Sequence, residues 1–68
     1  MDPTLLDDMF KHHLATADQV ARMNRVREAA RAFAGVVNDN ARDSADKTAA
    51  LRKISEAMFT VNRAIVAE

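Results

Sequence analysis

Apolar residues recur along this chain with the period of a helix, and no stretch shows the two-residue alternation of a strand. The clearest segment runs from Ser44 to Glu68, contains neither Gly nor Pro, and reads as one unbroken helix. Within it Leu51, Ile54, Met58, Val61 and Ile65 are spaced by three and four, which is a heptad seam. Ala50, Ala57 and Ala64 follow one flank of that seam. At about 100° per residue, Phe59 and Val66 point roughly 120° away from its centre. One partner helix covers one stripe, so this helix carries more apolar surface than a hairpin mate can bury. The excess faces another protein chain, a ligand, or both.

The rest of the chain predicts two further helices. Asp2-Pro3 supplies an N-cap followed by Pro at the first helical position, and Leu5, Leu6, Met9 and Phe10 give a short apolar face over residues 3–10. Lys11-His12-His13-Leu14-Ala15 interrupts the pattern. Thr16-Ala17-Asp18-Gln19 is a capping box that opens a long helix over residues 17–37. Its stripe is Met23, Val26, Ala30, Phe33, Ala34 and Val37, with Gly35 outside it. Asn38 to Asp43 is a polar connector, and Asp43 or Ser44 caps the last helix, residues 44–67. Two long helices of similar length with a short link predict an antiparallel hairpin in a single all-α domain spanning residues 1–68. The N-terminal helix is expected to pack across the hairpin or onto a neighbouring subunit.

Composition narrows the partners. A chain of 68 residues is one domain at most, and at that size only about 60% of the unfolded surface is buried on folding. There is no Cys, so neither a disulfide nor a thiolate metal site can staple it. Oligomerisation is the staple that remains. Ten basic and ten acidic residues cancel, which argues against a bulk electrostatic binder of DNA or RNA but leaves room for a small anion in a local pocket. No apolar run is long enough to span a bilayer and no signal-peptide pattern opens the chain, so a cytoplasmic location is expected.

Three groups of residues carry candidate chemistry. Asn24, Arg27 and Arg31 line one edge of the apolar stripe, where two guanidiniums and an amide either hold a phosphate or form a solvated flank. Arg22 and Arg25 point elsewhere. Phe59 and Arg63, one turn apart, either frame an aromatic ring by stacking and charge or make a subunit contact with the Arg reaching to solvent. His12 and His13 sit in the break between helices, where an imidazole can stack on a base or titrate near neutral pH. No Ser nucleophile, catalytic carboxylate pair or Gly-rich phosphate loop accompanies them, so no catalytic residue, no metal and no cofactor is expected.

Three blocks carry a resemblance: Phe10-Lys11-His12-His13, Val20 to Arg27, and Glu56 to Ile65. In their order and spacing they resemble the small phage anti-CBASS proteins that act as cyclic-nucleotide sponges, whose hairpin also occurs in sponges directed against the Thoeris defence system. The resemblance implies small helical proteins that assemble as interlocked dimers and then homohexamers in the host bacterial cytoplasm. It implies sequestration, without cleavage, of cyclic dinucleotides such as 3′,3′-cyclic GMP-AMP, and in some members of cyclic tri-AMP in separate pockets, so that the CBASS effector stays off and immunity is evaded. The family's dinucleotide pocket uses an aromatic before the first long helix and a basic residue within it. Those positions fall on His12, where the family usually has Tyr, and on Arg27, with His13 able to share the first role. The family's trinucleotide site uses an Arg near the end of the last helix, which matches Arg63. Three other readings stand beside this one: a helical oligomerisation module without a ligand, an RNA-binding hairpin dimer, and an enzyme that cuts the same ligand.

Overall fold

The computed structural model of the chain describes residues 2–10 and 15–68. It contains three helices, α1 (Pro3–Phe10), α2 (Ala17–Asn40) and α3 (Ala45–Val66). The described residues contain no strand. His12 and His13 lie outside the described residues.

Each helix begins where its capping residue dictates. The Asp2 Oδ1 accepts a hydrogen bond from the Thr4 backbone N–H at 2.9 Å. At the start of α2 the capping box is complete: the Gln19 N–H donates to Thr16 Oγ1 at 3.1 Å, and the Thr16 N–H donates to Gln19 Oε1 at 2.9 Å. Ser44, not Asp43, caps α3, with its Oγ accepting from the Lys47 N–H at 3.1 Å. α2 runs three residues beyond the expected end at Val37, through Asn38, Asp39 and Asn40. Those turn-forming residues stay helical because their polar groups are answered locally. The Asn40 amide donates to the Val36 carbonyl at 2.8 Å, and the Lys47 ammonium donates to the Asn38 carbonyl at 3.2 Å.

The two long helices pack against each other as an antiparallel hairpin. Polar contacts pin both of its ends. At the turn, the same Lys47 ammonium that holds Asn38 also pairs with Asp43 at 3.0 Å. At the open end, the Gln19 Nε2 reaches across to the Ile65 carbonyl at 3.0 Å, so one side chain both caps α2 and ties it to α3. Beside it Arg22 grips the Glu68 carboxylate with two nitrogens, at 2.9 and 2.6 Å.

Between these pins the core is a single line of side chains. The molecule measures 53 × 27 × 13 Å, one helix thick, so this chain alone can cover few residues from every side. Met23, Val26, Ala30, Ala34 and Val37 of α2 and Leu51, Ile54 and Met58 of α3 are half-buried. Ile65 is the one buried apolar residue among those described, at 8% exposed.

Three expectations are corrected by this packing, and a fourth is narrowed. Phe33 leaves the α2 stripe and is 59% exposed. Gly35, placed outside the stripe, is half-buried, with the Arg31 Nη1 lying over the position a β-carbon would take. Val61 is not in the α3 seam: it is 43% exposed, and Asn62 takes the buried position at 7%. At about 100° per residue positions 61 and 62 lie at equal angles, about 50°, on either side of the centre of the line through Leu51, Ile54, Met58 and Ile65, so spacing does not choose between them. The packing against α2 takes Asn62, and it leaves Ala57 and Ala64 exposed. Finally, among the described residues α1 packs on neither long helix, and its Leu5, Leu6 and Met9 are exposed. Of the two expected placements of this helix, the one across the hairpin is not seen among the described residues.

Candidate ligand groove

The spare apolar face of α3 does not lie flat. Phe59 and Val66 rise beside the seam, Met23 and Arg27 rise on the facing side of α2, and together with Asn62 and Arg63 they border an open groove of about 860 Å³ near the open end of the hairpin. Ala67 and Glu68 close one end of it. Phe59 is 58% exposed, with a ring face available to a flat partner.

Arg27 and Arg63, assigned by resemblance to two different pockets, border this one groove. Each is braced by a neutral side chain one turn earlier on its own helix. Arg27 Nη1 donates to Asn24 Oδ1 at 2.8 Å, and Arg63 Nη2 donates to Thr60 Oγ1 at 3.3 Å. Such acceptors orient a guanidinium without cancelling its charge. Arg22, next to the groove, is treated in the opposite way. It bonds the carboxylates of Glu68 and Asp18, the latter at 3.0 Å, and so presents little net charge. The hydrogen bond to Glu68, followed by attraction to both carboxylates, raises the Arg22 pKa above its already high ordinary value. The same bond holds the Glu68 carboxyl below the ordinary carboxylate range. Both partners are partly solvated, so the pair serves to set geometry more than to add stability.

Arg31 is not at this groove. It borders a second, smaller hollow of about 240 Å³ further toward the turn, with Arg27 between the two. Asn24 contacts the groove only through Arg27. The sequence-based candidates thus divide: Arg27, Phe59 and Arg63 come together, Asn24 supports one of them, Arg31 stands apart, and His12 and His13 lie outside the described residues.

Asn62 is the groove residue that sequence reasoning missed. It is the buried polar residue of the hairpin, and its Oδ1 has no hydrogen-bond donor among the described residues. Spacing alone gave no signal for it, because Val61 and Asn62 lie at equal angles on either side of the line through Met58 and Ile65. Buried amides are normally paired, so an orphaned one calls for an explanation.

Among the described residues no three His, Asp or Glu side chains approach closely enough to hold a metal ion. No helix among them is long and apolar enough to cross a membrane.

A family model described as "Acb2/Tad1, hairpin domain" matches residues 3–66. No curated protein and no solved structure gives a significant match to the chain.

Proposed function

The chain belongs to the Acb2/Tad1 hairpin family, and on that premise we propose that it is a phage anti-defence sponge that sequesters cyclic oligonucleotide second messengers. The ligands proposed are 3′,3′-cyclic dinucleotides such as cyclic GMP-AMP, with cyclic tri-AMP as a second class, bound without cleavage so that the CBASS effector is not activated. The observation that carries this reading is the groove itself. Two guanidiniums whose hydrogen bonds among the described residues go to neutral acceptors stand beside an exposed phenyl ring over about 860 Å³. A cyclic dinucleotide is compact, carries two phosphates and offers two flat bases, so each feature of the groove has a counterpart in the ligand.

The assembly proposed is a homo-oligomer, from dimer to hexamer. Leu5, Leu6, Met9, Phe33, Val36 and Val61 are large apolar side chains left exposed by the single chain, more than a hairpin one helix thick can cover. A two-fold assembly would offer Arg27 twice, matching the two phosphates of a symmetric ligand. The same exposed residues favour the second reading, a helical oligomerisation module without a small-molecule ligand.

Calorimetric titration with a panel of cyclic di- and trinucleotides separates the two. The sponge reading expects tight binding and chromatographically intact ligand on release. Arg27→Glu should abolish dinucleotide binding and leave the helical circular-dichroism signal as it was. A folded multimer that gives no heat with any ligand supports the module, and fragments of the ligand on release would indicate a cutter.

A further inference from the structure

Asn62 is buried at the floor of the groove, yet nothing in the hairpin donates to its Oδ1. The position could hold Leu, which has nearly the same shape, and the fold would gain by it. An unpaired buried amide costs stability, whereas an apolar isostere in the same stripe adds to the contact of Met58 and Ile65. The polar atom is therefore not there for the hairpin. The side chain also has the freedom to serve a ligand. The Oδ1 is itself shielded from solvent, but the last torsion of an Asn is broad and two-fold, so rotation of the amide alone would present its oxygen to the groove without moving the backbone.

The surroundings narrow what it meets. Arg27 and Arg63 answer negative charge and Phe59 answers a ring face, which leaves the edge of that ring unrecognised. A primary amide presents an acceptor beside a donor. Adenine offers the complement, a 6-amino donor beside a ring-nitrogen acceptor, on both its Watson–Crick and its Hoogsteen edge. A guanine Hoogsteen edge has two acceptors and would leave the Asn62 oxygen unpaired, whereas the guanine Watson–Crick edge would satisfy an amide as adenine does, so the amide discriminates on the Hoogsteen edge. We propose that Asn62 reads the Hoogsteen edge of an adenine base in the bound nucleotide, its Oδ1 accepting from the 6-amino group, and that it sets the base preference of this site. The inference rests on the sponge reading of the groove.

The test removes each partner in turn. Wild-type protein, Asn62→Leu and Asn62→Ala are titrated with 3′,3′-cyclic di-AMP and with the same molecule lacking both 6-amino groups. The wild type is expected to bind the deaminated ligand about tenfold or more weaker, the discrimination one good amide–base pair provides. Asn62→Leu is expected to bind the two alike, and to melt at a higher temperature than the wild type. A variant that keeps the wild-type ratio overturns the proposal while leaving the sponge reading in place. A wild type that binds neither molecule, nor any other cyclic nucleotide, overturns both. Loss of the helical signal in both variants assigns the amide to the fold, and a changed mass by light scattering with an unchanged ratio assigns it to a subunit contact. Either result overturns the proposal.

Discussion

Ile65→Ala, set against Val61→Ala, measures where the hairpin's stability resides. Ile65 is 8% exposed, and the mutation removes three of its carbons. At about 0.8 kcal/mol for each buried methylene-sized group this is roughly 2.4 kcal/mol, before any penalty for the cavity left behind. Val61 is 43% exposed and loses two carbons. Scaled to the buried fraction, that loss is about 0.9 kcal/mol. A domain of this size commonly has only about 3–10 kcal/mol of total stability, so the first change should shift a urea midpoint severely and the second modestly. Both variants would be unfolded in urea at several matched protein concentrations, with the helical signal as the probe. A strict heptad seam expects comparable costs, because both positions would then face α2. Equal costs that do not vary with concentration would refute the placement of Ile65 in the hairpin's core and of Val61 outside it. A Val61→Ala cost that does vary with concentration would report a second chain lying on that face.

Gly35→Ala should stabilise the protein by about 0.5–1 kcal/mol, since Gly35 lies inside α2 with ordinary helical backbone. Its new β-carbon would meet only the mobile end of Arg31, at 3.2 Å. A lower melting temperature would mean that another chain approaches there. Glu68→Gln should destabilise the hairpin at neutral pH and lose that effect in acid. The folded-state pKa of Glu68 is lowered from the ordinary 4.5, so its contribution is present above that value and disappears as pH falls through the lower, folded one. A difference between wild type and variant that persists at the acid end would remove the Arg22 pair as its cause. Asn24→Asp should weaken cyclic dinucleotide binding by about tenfold or more, because it keeps the acceptor on Arg27 but places a negative charge against it. Asn24→Ala should cost less, and an undiminished affinity in the Asp variant would show that the Arg27 charge does not face the ligand.

The helices were legible because their signals are local. A capping Thr with Gln three residues on, a capping Ser, and apolar spacings of three and four each act within one or two turns, and each element begins where they place it. Errors arose where a longer-range effect decides. The end of α2 depends on Lys47, which belongs to the following helix. The exchange of Val61 for Asn62 depends on which edge of the stripe α2 covers, since both positions lie at equal angles from its centre. Phe33 fits the α2 stripe by spacing, but it stands at the stripe's edge and is 59% exposed, while Ala30 and Ala34 take the half-buried positions. In the groove, Arg27, Phe59 and Arg63 were found because charge and aromaticity stand out in a sequence. Asn62 was hidden because its importance is a missing partner, which only a packed structure reveals.

The zero net charge of the chain and its proposed anionic ligand are compatible once each cation is placed. Arg22, Arg27 and Arg63 all lie near the open end of the hairpin. What separates them is the partner each has. Arg22 is taken up by two carboxylates, and its work is to hold the end of α3 against α2. Arg27 and Arg63 are held by an amide and a hydroxyl, which fix their direction and leave their charge to act on whatever enters the groove. A sum over the sequence counts all three alike, whereas an anion in the groove meets two of them. Composition therefore argues against a long polyanion spread over the surface, which needs a broad excess of positive charge. It places no limit on a small ring with two phosphates, because two correctly braced arginines are enough to answer it.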